Sequence, residues 1–315
     1  MRVLGYSETI AALDFPPLVE ALRQAFRKGG IETPPAELYT IPVSQGHDGA
    51  LIVLPAWQPG RHFGVKLTTV FPGDAERQKP ARHGSYLLYD GKTGESLALF
   101  DGQALTARRT AAASALAASY LAAPDCERML MIGTGILAAH LIDAHASVRP
   151  IHNVLIWGRD PEKAARLARR LDRRKLKVAS TTDLASAARG AQIICCATAS
   201  HEPILKGEWL QPGVHIDLVG GRTPQMREAD DETMTRARIF VDTRDAAVSA
   251  AGDIAAPMAA GIITAHDIAG DLFELTRGER AGRRFHNQIT LFKSVGHSLE
   301  DLAGAQVGLD YVIRG

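Results

Sequence analysis

Cysteine is scarce in this chain: Cys126, Cys195 and Cys196 are the three in 315 residues. Three thiols cannot build a disulfide framework. Two of them sit inside the apolar run Ile193-Ile-Cys-Cys-Ala-Thr198, with no base or cation beside them. That setting suits small buried side chains rather than a reactive thiol. An excess of either charge is lacking too, since the formal net charge is +1. Nothing in that balance favours nucleic acid or an anionic membrane as a partner. No run reaches the about 18 consecutive apolar residues that a spanning helix requires. The opening residues, Met1-Arg-Val-Leu-Gly-Tyr-Ser-Glu8, lack the apolar core of a secretory signal. The expected compartment is therefore the cytoplasm. Internal repeats and low-complexity linkers are absent as well. What is present is 46% hydrophobic and 23% charged residues, the composition of a soluble globular protein. At roughly 150 residues per domain, the length suggests two domains.

The most informative stretch is Met129-Leu-Met-Ile-Gly133-Thr-Gly135-Ile-Leu-Ala138, an apolar run that breaks into a glycine turn and then a helical pattern. The spacing is that of a dinucleotide fingerprint with alanine in the third small position. Gly133 allows the tight turn, and Gly135 lets the backbone approach a pyrophosphate. Ala138 lets the helix pack near the sheet, with its free N–H groups facing the anion. Such a match alone is weak, and an ordinary glycine-rich turn is the alternative. Its context strengthens it, because the strand-like run Asn153-Val-Leu-Ile-Trp157 follows after a helix-length segment.

Before the fingerprint the chain mixes periods. Phe15-Pro-Pro-Leu-Val-Glu-Ala-Leu-Arg-Gln-Ala-Phe26 reads as a proline-initiated amphipathic helix. Segments 50–55, 63–71, 85–89 and 96–100 read as strands, with hairpin signals at Asp90-Gly91 and Thr93-Gly94. From an Ala-rich helix at 110–121 onward, the pattern alternates. Strands are expected at 129–132, 153–157, 176–179, 191–196, 214–219 and 238–241. Helices are expected from about 136, over 161–174 and near 183–189, and another over 298–305. Alternation of this kind means a parallel sheet with crossover helices. The fold class is thus α/β: a Rossmann-type doubly wound parallel sheet plus an α+β domain with a mixed or antiparallel sheet.

The end of the second strand of such a sheet meets the adenosine ribose. Here it runs into Trp157-Gly158-Arg159-Asp160. Gly158 offers no carboxylate, Arg159 offers a planar fork suited to a 2′-phosphate, and Asp160 reads as the N-cap of a helix starting at Pro161. NADPH is expected over NADH, with NADH possible. The basic stretch from Arg169 to Lys175 reads as the wet face of that helix.

These residues resemble the ornithine cyclodeaminase/mu-crystallin family. The resemblance rests on Gly64-Val-Lys66 with Phe71-Pro-Gly, on Leu105-Thr-Ala-Arg-Arg109-Thr-Ala-Ala, and on the nucleotide turn. Ala197-Thr198 and Ile289-Thr-Leu-Phe-Lys-Ser-Val-Gly296 complete it, so the matching pieces span nearly the whole chain. It implies a homodimer whose substrate-binding and dimerisation domain is 1–115 with 299–315, and whose Rossmann domain is 116–298. It also implies that Lys66 and Arg109 hold a substrate carboxylate, an arrangement that the chemistry of a bidentate guanidinium and a point-charge ammonium supports. Ala197 and Thr198 would border the nicotinamide half of the cofactor, and Lys293-Ser294-Val295 would close over it. No metal is expected.

The departures select a branch. Cyclodeaminases carry an Asp and, four residues on, a Lys after a Gly-Gly pair. Here Arg222 and Met226 take those places after Gly220-Gly221, and an Arg cannot act as a general base at neutral pH. The Pro224-x-x-Arg227-Glu228 pattern instead resembles the ketimine-reductase branch. The family's Arg near position 36 is missing from Pro34-Pro35-Ala36-Glu37, and Arg222 is expected to supply that positive charge. His83 is a further candidate for proton transfer, with a surface histidine as the alternative. The implied reaction is NAD(P)H-dependent reduction of a cyclic ketimine 2-carboxylate, Δ1-pyrroline-2-carboxylate or Δ1-piperideine-2-carboxylate, to proline or pipecolate. The alternatives are ornithine cyclodeamination or amino-acid dehydrogenation on the same scaffold, or a ligand binder without catalysis.

Overall fold

The computed structural model describes residues 1–44, 47–71, 82–173, 175–221 and 223–314. The chain divides into two compact units, Met1–Thr110 with His297–Gly315, and Ala111–Gly296. The boundary falls inside helix Gly102–Leu121, within the Ala-rich segment.

The first unit is built on a six-stranded mixed sheet. Its strands are β1 (Arg2–Leu4), β2 (Glu37–Ile41), β3 (Gly49–Gln58), β4 (His62–Val70), β5 (Arg82–Asp90) and β6 (Ser96–Asp101). They run in the order β1-β6-β5-β4-β3-β2, antiparallel except for the parallel pair β1–β6. The hairpin expected at Asp90-Gly91 and Thr93-Gly94 joins β5 to β6, with Gly94 at φ +75°. Helix Phe15–Lys28 begins where the sequence places it. Asp14 caps it, prolines follow in the first turn, and Phe15, Leu18, Val19, Leu22 and Phe26 face inward at helical spacing. The C-terminal helix Ser298–Arg314 packs on Phe15–Lys28 and crosses the sheet. Gly308 makes that crossing possible, since a Cβ there would stand 2.5 Å from the Phe100 ring. Strands β1 and β2 are short edge strands that carry no clear alternation, and sequence pattern passes over both.

The second unit holds an eight-stranded, wholly parallel sheet. Its strands are β7 (Arg128–Ile132), β8 (Asn153–Trp157), β9 (Lys177–Ser180), β10 (Ile193–Cys196), β11 (His215–Leu218), β12 (Arg238–Val241), β13 (Ile268–Asp271) and β14 (Thr290–Lys293). The order is β13-β12-β14-β11-β10-β7-β8-β9. Strand β7 is central, with β8 and β9 on one side and β10 and β11 on the other. Such a reversal of strand order is where a doubly wound sheet opens its binding crevice. The central strands are buried along their length, as a sheet covered on both faces requires. Cys195 and Cys196 are among those core residues.

One expectation changes. Helix Pro161–Leu171 stops short of 174. Arg173 bridges to Leu176 and pairs with Asp143 at 2.6 Å, so the basic stretch is not one helical face. Thr290–Lys293, which sequence pattern passes over, is an interior strand between β11 and β12. Four-residue apolar strands such as β13 and β14 have too little length for periodicity to distinguish them from helix.

Candidate functional site

The nucleotide turn forms as its residues dictate. Gly133 has φ +120° and donates its N–H to the Trp157 carbonyl at 2.9 Å. A Cβ at that position would lie 2.6 Å from the Ala197 carbonyl oxygen, so only glycine lets β7, β8 and β10 meet there. Gly135 then starts helix Ile136–Val148. A Cβ added to it would meet no atom within 4 Å, which leaves an open cradle beside the uncapped amides of a helix N-terminus. Ala138 is fully buried, while Ile136 at the mouth is 66% exposed. This is the geometry that accepts a pyrophosphate.

At the end of β8, Arg159 is exposed. The Asp160 carboxylate accepts from the amides of Glu162 and Lys163 at 3.0 and 3.1 Å, so it caps the next helix as expected. The one acidic group at this strand end is thereby turned into the helix.

Beneath the ends of β10, β11 and β14 lies a buried network that sequence reasoning passes over. Glu228 Oε1 accepts from the Thr198 amide at 2.6 Å and from Thr198 Oγ1 at 2.9 Å, and Oε2 accepts from the Gly220 amide at 2.7 Å. Asp253 Oδ1 accepts from the amides of Glu228 and Ala229. Lys293 Nζ donates to Asp253 Oδ2 at 3.0 Å and to the Gly220 carbonyl. All three charged side chains are fully buried. Burial pushes the Glu228 carboxyl up to about 7, against the pull of Lys293. Lys293 was expected to close over a cofactor. Its side chain is instead a buried counter-ion, because a lysine on an interior parallel strand must find a carboxylate. Ser294 is buried as well, and the Val295 and Gly296 amides donate to Asp242 at 2.7 and 2.6 Å, which fixes the turn after β14. A hint of the network exists in sequence as the acidic residues 228 and 253, but nothing local joins them.

In the first unit Lys66 lies on the face of β4 under the C-terminal helix, opposite Tyr86 on β5. The strand alternates so that Gly64, Lys66 and Thr68 turn inward. Gly64 is required there, because a Cβ would stand 2.4 Å from the Tyr86 hydroxyl. Arg109, on helix Gly102–Leu121, comes to the same cluster. Asp301 bridges the two cations: Lys66 Nζ donates to both its oxygens at 3.1 and 3.2 Å, and Arg109 Nε donates to Oδ1 at 3.0 Å. Glu300 takes Arg109 Nη1 at 2.5 Å. Arg109 thus has two carboxylate partners within the chain itself, Asp301 and Glu300. Burial lowers Lys66 to about 8, with Asp301 opposing the shift.

His83 is exposed on β5 opposite Thr69, on the other face of the sheet from Tyr86 and Lys66. Three residues separate His83 from Tyr86, and a period of two sends them to opposite sides. The imidazole that does adjoin the cluster is His297. It lies at the start of the C-terminal helix, its Nδ1 accepts from the Leu299 amide at 3.3 Å, and burial lowers its pKa with Arg109 adding to the effect. Arg222 lies outside the described residues, as does the part of the family motif at Pro72-Gly73.

The chain is 36% identical over 309 residues to the Δ1-pyrroline-2-carboxylate reductase of Paracoccus denitrificans, covering 96% of this chain and 94% of that protein. It is 34% identical to the ketimine reductase mu-crystallin of Rattus norvegicus, with 95% and 92% covered. The solved structure of Thermococcus litoralis Δ1-pyrroline-2-carboxylate reductase, in complex with NADH and L-proline, superposes with a TM-score of 0.91 at 30% identity, covering 100% and 98% of the two chains. The family model matches residues 6–313, and the chain belongs to the ornithine cyclodeaminase/mu-crystallin family.

Proposed function

We propose that this protein is an NADPH-preferring reductase of cyclic ketimine 2-carboxylates, with Δ1-pyrroline-2-carboxylate or Δ1-piperideine-2-carboxylate as substrate and L-proline or L-pipecolate as product. The observation that carries it is the pairing of Lys66 and Arg109 across one Asp301 carboxylate, on a chain that also builds the Gly133–Gly135 cradle. Two adjacent, nearly buried cations suit one small carboxylate. Lys66 Nζ donates to both oxygens of Asp301, and an ammonium with three N–H groups keeps a donor for a substrate oxygen.

The residues then divide the work. Asp301 keeps the ammonium and the guanidinium side by side, and Glu300 fixes the plane of Arg109. Lys66 and Arg109 orient the acid so that its C=N presents one face. The imine nitrogen of such a ring is basic enough to be protonated when bound, so the carbon is electrophilic without a strong enzymatic acid. Gly133, Gly135 and the helix that Ala138 seats would hold the pyrophosphate, and Arg159 the 2′-phosphate. Ala197, Thr198 and the backbone from Lys293 to Val295 end strands on the crevice side. Reduced nicotinamide, when bound, supplies the hydride that the imine carbon takes. Arg222 and His83 belong to this proposal only as an added cation and as a surface histidine. A homodimer is the proposed assembly, and sedimentation or light scattering of the purified protein at double the chain mass is the expected result.

The test is oxidation of NADPH and of NADH by purified protein with each cyclic imine, with the product assigned by chiral chromatography. Turnover with at least one imine and a preference for NADPH is expected. Ammonia release from ornithine without imine reduction would overturn the proposal.

A further inference from the structure

We infer that Glu228 is a positioning residue for the nicotinamide half of the cofactor, holding the ends of β10 and β11 in register from below. This rests on the reading of the chain as a nicotinamide enzyme. The cradle at Gly133 and Gly135 sits at the end of β7, and Arg159 at the end of β8 marks the adenosine side. In a doubly wound sheet the other half of a dinucleotide then runs over the strands on the opposite side of β7, which are β10 and β11.

Those strand ends are in unusually close contact. A Cβ on Gly220 would stand 2.1 Å from the Thr198 carbonyl oxygen and 2.4 Å from Glu228 Oε1. Glu228 takes the amide of each strand end, one on each carboxylate oxygen, and the Thr198 hydroxyl besides. Lys293 holds Gly220 by its carbonyl, and Asp253 anchors both Lys293 and the Glu228 turn. The site thus calls for a side chain that accepts at both ends. Glutamate meets that demand only when ionised, and glutamine cannot, because its NH2 must face one of the two amides.

Among the described residues the network holds two carboxylates against one ammonium. Among the described residues, the charged and titratable groups around Glu228 are Lys293 from β14, Asp253 from helix Gly252–Ala259, and the Cys195 and Cys196 thiols from β10. Arg227 beside it is turned to Asp231 at 2.6 Å. With one carboxylate in excess and no water-facing atom, Glu228 is the group that takes up a proton as the pH falls through about 7. The clasp is intact above that pH and loosens below it.

The experiment is calorimetric titration of the folded protein with NADPH and, separately, with adenosine 2′,5′-bisphosphate, from pH 6 to pH 9. The fragment carries the 2′-phosphate but no nicotinamide, so it subtracts the titration of that phosphate. For Glu228→Gln at pH 8, NADPH binding about tenfold weaker than wild type is expected, with a flat pH profile and unchanged fragment affinity. Thr198→Val keeps the charge and removes one donor. It is expected to weaken NADPH about threefold and to move the pH midpoint of binding upward, because the carboxylate loses a hydrogen bond. NADPH binding by Glu228→Gln within about twofold of wild type, or an equal loss of the fragment, overturns the inference. So does a Thr198→Val midpoint that stays in place. A wild-type protein that binds the fragment's parent dinucleotides in no form would overturn the functional reading itself.

Discussion

Asp301 is one carboxylate shared by two cations that are each less than a tenth exposed. Replacing it with Asn leaves an ammonium and a guanidinium facing each other with Glu300 as their remaining carboxylate partner. Removing one member of a buried ion pair typically costs about 3–5 kcal/mol, so Asp301→Asn should shift the urea midpoint of the protein strongly downward. The same environment sets a pH dependence. Lys66 is held down to about 8 by burial, so it is protonated below that pH and loses its charge as the pH rises through it. The KM for the imino acid should therefore climb above pH 8 while kcat changes less, and Lys66→Met should remove the inflection. Arg159 is exposed and separate from this chemistry. Arg159→Ala should raise the KM for NADPH by about tenfold or more and leave that for NADH alone, as expected for loss of one charge-assisted phosphate contact. Initial rates with the two cofactors check it.

The turns and short elements show what a linear pattern carries and where it stops. Gly133 reads directly from the sequence because its job is local: a strand ends, a helix begins, and the backbone must turn. Gly133→Ala would place a methyl 2.6 Å from the Ala197 carbonyl at φ +120°. Loss of dinucleotide binding and a Tm several degrees lower are expected, measured by titration and calorimetry. Gly64 reads as part of a motif, but its reason is cross-strand, since Tyr86 fills the space where its Cβ would be. Lys66 and Arg109 were legible as a pair through family resemblance. Their partners Asp301 and Glu300 were not, because more than 190 residues separate them from Arg109 in sequence. The buried pairing of Lys293 with Asp253 was hidden for the same reason. The carboxylate partner is 40 residues away, and a four-residue strand gives no period by which to see that it is interior.

At the scale of the molecule, alternation of strand and helix from 129 onward was enough to announce the parallel sheet, and the hairpins before it the mixed one. The strand order was not available, since β14 enters between β11 and β12 from late in the chain. The Ala111–Gly296 unit contains every cysteine of the protein, at positions 126, 195 and 196, and all three are buried. Burial raises each thiol, Cys195 and Cys196 well above the ordinary range, and the unit formed by the remaining residues has none. A disulfide-exchange dye added to the native protein can therefore reach Cys195 and Cys196, which lie within β10, only after the parallel sheet has opened. Its rate of colour formation would serve as a stopwatch for breathing of that half alone, silent to whatever the other half does, and saturating dinucleotide should slow it in proportion to occupancy.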